Sequence, residues 1–185
     1  MVMFVRTQRL TLRPGWPEDA PALARAIDHE AVVRNLSRVP WPYGIEAAET
    51  FLAHWTETRF LVFEHQAGAV SLVGCVGIDA VGSEAQELGY WFTPSAWGKG
   101  YATEAARGVL AAARAAGVRR VTSGHFVDNP ASGRVLHKLG FRPTGRIDPV
   151  WSKGRGCEVA CARFERTLDS DACSPRPQPE SRLAA

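Results

Sequence analysis

Hydrophobic and polar positions follow two periods along this chain, and together they predict a mixture of strands and helices. An alternation of polar and apolar residues over 7–13 predicts a half-buried strand. Two further strands are predicted towards the end, over 142–147 and 157–166. Three β-rich runs separated by short turns at 66–68 and 82–84 predict an antiparallel meander, over 60–63, 69–78 and 85–92.

A period of 3.6 residues marks the predicted helices. The longest, over 99–116, carries an alanine-rich apolar stripe and ends at Gly117. Strand 85–92, this helix and strand 118–126 form a βαβ crossover, which makes the two strands parallel. Shorter helices are predicted over 17–28, 46–59 and 130–139, whereas 29–45 is expected to be irregular.

A glycine loop stands directly before the long helix, where Gly98 and Gly100 flank Lys99. The start of a helix has free backbone N–H groups and a partial positive charge, and glycine lets a phosphate come close to them. The loop therefore predicts a pyrophosphate site, although glycine turns also precede helices that bind nothing. It lacks the Lys-Ser/Thr of a P-loop, and Thr103 stands where a dinucleotide fingerprint has its third glycine.

This loop and a second motif resemble the GCN5-related N-acetyltransferase (GNAT) superfamily, in particular its ribosomal-protein N-terminal acetyltransferase branch. The family pattern Gln/Arg-x-x-Gly-x-Gly/Ala is matched at Gly100 and Ala102, but Trp97 stands where Gln or Arg is usual. The second motif, over 129–141, resembles the family segment Asn-x-x-Ser…Leu-Gly-Phe. The resemblance covers about residues 5–166.

The resemblance implies an α+β fold with a mixed, mostly antiparallel central sheet, flanked by helices, in which the parallel strand pair splays apart. It implies a single domain over 1–168, and the Ser-, Pro- and Arg-rich tail 169–185 is expected to be disordered. The implied co-substrate is acetyl-CoA, whose pantetheine enters the gap between the splayed strands. The implied cofactor-binding residues are Tyr90, Trp91, Phe92, Gly98, Lys99, Gly100, Tyr101, Ala102, Thr103 and Asn129.

The reaction implied is direct attack of a primary amine on the thioester. Glu87, on the central strand, is the candidate base or amine-binding group, although a solvated strand carboxylate would look the same. Ser132 is the candidate acid, with a first-turn helix serine as the alternative. Many family members have a tyrosine acid where this chain has Leu136. His125 is a possible proton relay, and Arg134 is a possible CoA phosphate ligand.

The acceptor implied is a protein N-terminus or a small-molecule amine. The aromatic segment around Trp41 and Tyr43 either covers the edge of the core or forms a wall of the substrate pocket. Two other functions fit the same loop: a non-catalytic acyl-CoA-binding or sensor module, and a nucleotide-phosphate binder.

The amino-acid composition narrows the class of protein. With 185 residues and 45% hydrophobic content, one domain with a real core is expected. A net charge of +3 without a basic run suits an anionic cofactor and does not call for nucleic acid. The four cysteines lack zinc-ligand spacing, so no metal is expected. The start lacks a signal-peptide pattern and no apolar stretch has membrane length, which predicts a cytoplasmic protein. The family resemblance is compatible with a monomer or a homodimer.

Overall fold

The computed structural model describes residues 4–66, 69–81 and 85–168. The predicted turn at 82–84, most of the turn at 66–68 and the predicted disordered tail 169–185 lie outside the described residues. No helix in the described part of the chain is long and apolar enough to cross a membrane.

A single mixed sheet forms the centre of the molecule. Among the described residues it has eight strands in the order β1-β2-β3-β4-β5-β6-β8-β7. The pair β5–β6 is parallel and every other pair is antiparallel, as predicted. The strands are β1 (Val5–Arg6), β2 (Leu10–Arg13), β3 (Arg59–Gln66), β4 (Ala69–Val81), β5 (Ala85–Phe92), β6 (Arg120–Phe126), β7 (Arg142–Ser152) and β8 (Cys157–Thr167).

Helices cover both faces of the sheet and divide the core in two. Tyr101, Leu110 and Leu136 pack with Leu88 and Phe92 on one face, whereas Leu23, Val33 and Leu52 pack with Cys75 and Trp91 on the other. The helices are α1 (Ala20–Ile27), α2 (Glu30–Val33), α3 (Ile45–Ala53), α4 (Tyr101–Ala115) and α5 (Pro130–Lys138).

Several predicted boundaries were wrong; the strand predicted over 142–147, for example, continues to Ser152 as β7. The segment 29–45 contains α2, a single turn that buries Val32 and Val33 and is too short to show a period. Helix α3 ends at Ala53 rather than at Arg59, because Arg59 pairs with Gly77 of β4 as the first residue of β3.

The parallel strands β5 and β6 separate after two residue pairs. Backbone pairing joins Gln86 to Val121 and Glu87 to Thr122, and no later pair of these described strands continues it. Beyond that point the Ser123 hydroxyl donates to the Leu88 carbonyl at 2.8 Å, so a side chain replaces the backbone ladder. The sheet therefore opens into a gap between the ends of β5 and β6, which confirms the predicted splay.

Gly74 fixes how β4 meets the end of β5. A Cβ at this position would lie 2.8 Å from the Phe92 ring and closer still to the Trp91 carbonyl. We expect Gly74→Ala to cost about 2 kcal/mol of unfolding free energy, because overpacking here displaces backbone. Urea denaturation measures the loss. The control is Gly89→Ala on β5, where no described atom lies within 4 Å of the added Cβ; equal stability of the two variants would refute the expectation.

Candidate active site

A cavity of about 1520 Å³ lies at the gap between β5 and β6. Its lining includes residues from both motifs and from the central strand, so the fold brings together parts of the chain that are far apart in sequence. Among the predicted site residues, the lining contains Glu87, Tyr90, Trp91, Phe92, Gly98, Gly100, Tyr101, Ala102, Thr103, Asn129 and Ser132. Lys99 is absent from the described lining.

The glycine loop leads directly into α4. Gly98 and Gly100 have φ angles of +74° and +80°, in the left-handed region that favours glycine. Gly100 is the N-cap of α4, and no described side chain caps this end of the helix. The first N–H groups of a helix 15 residues long are therefore left for a ligand. An anion at this position gains from those donors and from the helix dipole.

Trp97 anchors the loop to the sheet. Its indole N–H donates to the Phe92 carbonyl at 2.7 Å, at the last residue of β5. The Gln or Arg that is usual at this position is missing, and with it one possible polar contact. The indole instead supplies a different one, which ties the loop to the strand that borders the gap.

Lys99 turns towards the sheet. Its Nζ lies 3.4 Å from Oε1 of the buried Glu64 on β3, and the Tyr101 hydroxyl also donates to that carboxylate. These contacts fasten both sides of Gly100 to the same carboxylate, which holds the start of α4 in place.

Strand alternation decides which backbone groups of β5 face the gap. The carbonyls of Gln86 and Leu88 accept hydrogen bonds from β6 side chains, so those of Tyr90 and Phe92 point the same way. The Trp91 carbonyl instead lies against Gly74 of β4. Of the three predicted partners of pantetheine, Tyr90 and Phe92 are thus oriented towards the gap and Trp91 is not.

Two hydroxyl groups meet beside the gap. The Tyr90 Oη lies 2.8 Å from Ser132 Oγ, and Ser132 is held by its backbone N–H, which donates to Asn129 Oδ1 at 3.3 Å. Burial raises the pKa of Tyr90 to about 12, while the hydrogen bond with Ser132 acts in the opposite direction. Sequence reasoning considered only the backbone of Tyr90. The signal that would have revealed its side chain is the same alternation, which directs it towards α5.

The His125 ring packs against α5, whereas the Arg134 side chain is exposed on that helix. His125 Nδ1 lies 2.8 Å from the Phe126 carbonyl, to which it donates, and a Cβ at Gly133 would lie 2.7 Å from its Nε2. The ring thus fills a groove against α5 and packs 5.5 Å from the Phe164 ring. His125 also lies in the cavity lining, and its role as a proton relay stays a prediction. Arg134 is exposed on α5 and lines the cavity.

Glu87 lies on the other face of β5, with Gly89 and Trp91. Arg163 Nη1 donates to Glu87 Oε1 at 3.2 Å, and Arg163 Nε donates to Asp148 at 3.1 Å. Glu87 Oε2 has no hydrogen bond with a described residue. The carboxylate is therefore oriented by an arginine and keeps one oxygen for another partner.

An open slot lies next to Glu87, above Gly89. On the neighbouring strands, Arg59 covers Gly77 and Cys161 covers Gly124, at 2.9 and 2.8 Å from where a Cβ would be. At Gly89 no described atom beyond the two adjacent residues of the chain lies within 4 Å of that position. We call this space the Gly89 slot. It is bordered along β5 by Glu87 and Trp91, and it adjoins the gap.

A family model described as an acetyltransferase (GNAT) domain matches residues 9–142 of this sequence. The chain belongs to the GNAT acetyltransferase family. It is 29% identical over 154 residues to an uncharacterized N-acetyltransferase, YoaA, of Bacillus subtilis, an alignment that covers 78% of this chain and 86% of that protein.

Solved structures confirm the GNAT fold. A GNAT-family acetyltransferase from Bacillus anthracis superposes with a TM-score of 0.76 at 22% identity, covering 89% of this chain and 98% of that one. RimL, a ribosomal L7/L12 alpha-N-protein acetyltransferase solved with coenzyme A, gives a TM-score of 0.74 at 20% identity, covering 91% and 100%.

One side of the GNAT cavity is lined by residues 34–39 and by Lys153, and the two segments to which they belong are hydrogen-bonded to each other. The Lys153 N–H donates to the Ser37 carbonyl at 2.9 Å, and the Ser152 hydroxyl donates to the Leu36 carbonyl at 3.0 Å. We call this pair of segments, 34–39 and 152–156, the pinned wall. Tyr43 is buried in the core and Trp41 is absent from the described lining, whereas Val39, at the start of the same segment, lies in the lining, so both predicted alternatives stay open.

The described residues contain no cluster of three or more His, Cys, Asp or Glu side chains that could hold a metal ion. Cys75 and Cys161 are buried, and burial raises the pKa of the Cys75 thiol to about 12.

Proposed function

We propose that this chain transfers the acetyl group of acetyl-CoA to a primary amine by direct attack on the thioester. The observation that carries the proposal is the position of the Gly89 slot, which opens beside the gap where β5 and β6 separate. A thioester in the gap and an amine in the slot meet at the same strand. Direct transfer requires such a meeting, whereas a module that only binds acyl-CoA does not.

For acetyl-CoA, the proposal rests on the start of α4 and on the unpaired end of β5. The pyrophosphate binds at the start of α4, on backbone N–H groups from Gly98 to Thr103. The pantetheine amides pair with backbone groups of Tyr90 and with the N–H of Phe92, since Trp97 occupies the Phe92 carbonyl. An unpaired N–H of β5 is also the donor available to the thioester oxygen as negative charge develops on it.

For the amine, the proposal assigns Glu87. Its free Oε2 borders the Gly89 slot and accepts a proton from the incoming ammonium group. Near neutral pH, a lysine amine costs roughly 4.6 kcal/mol to deprotonate, whereas a terminal α-amine costs only about 1.4 kcal/mol. Any carboxylate is a weak base, so an α-amine is the better acceptor. RimL, which shares the fold, is named as an alpha-N-protein acetyltransferase.

For the leaving group, the proposal assigns Ser132. The residue lies in the first turn of α5, and its hydroxyl points to Tyr90 beside the gap. Leu136, one turn further along α5, is fully buried and has no proton to give. Ser132 is thus the donor that this helix offers to the departing thiolate.

The experiment presents acetyl-CoA with three acceptors: a peptide with a free N-terminus, the same peptide blocked at its N-terminus but containing lysine, and a polyamine. We expect acetylation of the free N-terminus at the highest rate. Mass spectrometry should follow the acetylated product, because exposed Cys157 would react with a thiol reagent.

Two outcomes would contradict the proposal. Tight binding of acetyl-CoA without turnover on any of the three acceptors would favour the sensor function. Binding of ATP that competes with CoA at similar affinity, measured by calorimetry, would favour the nucleotide-phosphate function.

A further inference from the structure

The contact between Tyr90 and Ser132 joins two elements that approach the gap from different directions. Tyr90 is on β5, Ser132 is on α5, and 42 residues separate them. The phenol oxygen lies 2.8 Å from the Ser132 hydroxyl and 3.2 Å from the Ser132 carbonyl. The carbonyl can only accept a hydrogen bond, whereas either of the two hydroxyl groups can donate to the other. The direction of the bond between the Tyr90 and Ser132 hydroxyls is therefore the question to decide.

Each possible direction has a different chemical consequence. If Ser132 donates to Tyr90, the single serine proton is occupied and cannot reach a sulfur atom. If Tyr90 donates to Ser132 Oγ, the serine proton is free to point into the gap. A buried phenol needs one acceptor for its proton, and Ser132 Oγ is the nearer of the two.

We propose that Tyr90 is a positioning residue for the transfer reaction, whose phenol donates to Ser132 Oγ and thereby directs the serine proton at the departing thiolate. The proposal rests on the proposed acetyltransferase function. As the carbon–sulfur bond breaks, its electron pair stays on sulfur and is stabilised by the Ser132 O–H. Tyr90 keeps its own proton throughout.

The surroundings of the pair support this direction. The Ser132 N–H is held by the Asn129 side chain, so the backbone of this turn is fixed and its hydroxyl is left to Tyr90. Burial raises the pKa of Tyr90 to about 12, so the phenol remains a donor well beyond neutral pH. Leu136 fills the position one turn further along the helix and offers no competing hydroxyl.

The test is a double-mutant cycle on kcat with a saturating peptide acceptor. We expect Tyr90→Phe to lower kcat about 10-fold, Ser132→Ala about 100-fold, and the double variant no more than Ser132→Ala alone. The affinity for CoA should stay within 2-fold in all three. A double variant whose loss equals the product of the single losses, or Tyr90→Phe with unchanged kcat, would overturn the proposal.

Tyr43→Phe is the matched control. This phenol is also buried, its pKa is also raised to about 12, and it also lies 3.2 Å from a carbonyl, that of Ala47. It lies outside the described cavity lining. Its loss should lower the melting temperature as much as that of Tyr90 and leave kcat unchanged.

A second variant keeps the test decisive if Tyr90→Phe folds poorly. A polyfluorinated tyrosine at position 90 retains the ring and the oxygen, but fluorine lowers its phenol pKa by more than burial raises it, so the ionised phenol cannot donate. We expect the ratio of its kcat to the wild-type kcat to fall near neutral pH and to recover as the pH is lowered through the phenol pKa. A kcat that follows the wild-type pH profile would refute the role of Tyr90, and loss of wild-type turnover itself would refute the underlying function instead.

Discussion

Replacing Gly100 with valine is expected to weaken CoA binding about 100-fold, equivalent to about 3 kcal/mol. A β-branched residue at a φ of +80° is strained by roughly 1–2 kcal/mol or more, and the chain relieves that strain by rotating the peptide at the start of α4. The rotation turns N–H groups away from the pyrophosphate site. Isothermal titration with CoA measures the loss.

Gly117→Val is the matched control. Gly117 follows the other end of α4, its φ is +88°, and no described atom lies within 4 Å of an added Cβ. Backbone strain is therefore similar, but the residue is remote from the phosphate loop. We expect both variants to lose stability by a similar amount and only Gly100→Val to lose affinity. Equal CoA affinities would show that the α4 start does not hold the pyrophosphate.

Replacing Gly89 with valine is expected to lower kcat/KM for amine acceptors by about 100-fold or more, with the fold intact. Valine suits a strand better than glycine, and its side chain enters open space rather than a neighbour. That space is the Gly89 slot, so the side chain displaces the amine from the thioester. Displacements of about 1 Å already cost 100-fold in rate.

The same substitution should leave the affinity for CoA unchanged, because the Cβ of residue 89 points to the face of the sheet opposite to the one that carries the side chains of Tyr90 and Phe92. Gly89→Ala should give an intermediate rate, and small amines should suffer less than peptides. Full turnover by Gly89→Val on a peptide would mean that the acceptor approaches from elsewhere.

Sequence patterns predicted this fold well, because its strands and helices carry strong periods and their order leaves few topologies. The antiparallel meander, the crossover and the loop before α4 all followed from spacing alone. The single turn α2 did not, because four residues are too few to display a helical period. The early end of α3 depends on the pairing of Arg59 with Gly77, which is a long-range contact.

The candidate site was harder to predict for the same reason. Motifs identify Ser132 and Gly100, yet the contact of Ser132 with Tyr90 joins a helix to a strand 42 residues away. The sequence does not mark Gly89 as a site residue, because glycine has no reactive group. Its importance comes from the open space above it, which the side chains of the neighbouring strands do not fill. The orientation of Trp91 could have been predicted from the sequence, because alternation along β5 turns its backbone groups to the side opposite to those of Tyr90.

The pinned wall has a consequence for how substrates pass through the molecule. Its two segments are joined through Ser37 and Lys153 and through Leu36 and Ser152, before any ligand arrives. Two hydrogen bonds between segments more than a hundred residues apart in sequence hold this side of the cavity at a set distance. We therefore expect acceptors that reach the cavity past this side to be selected by size and shape.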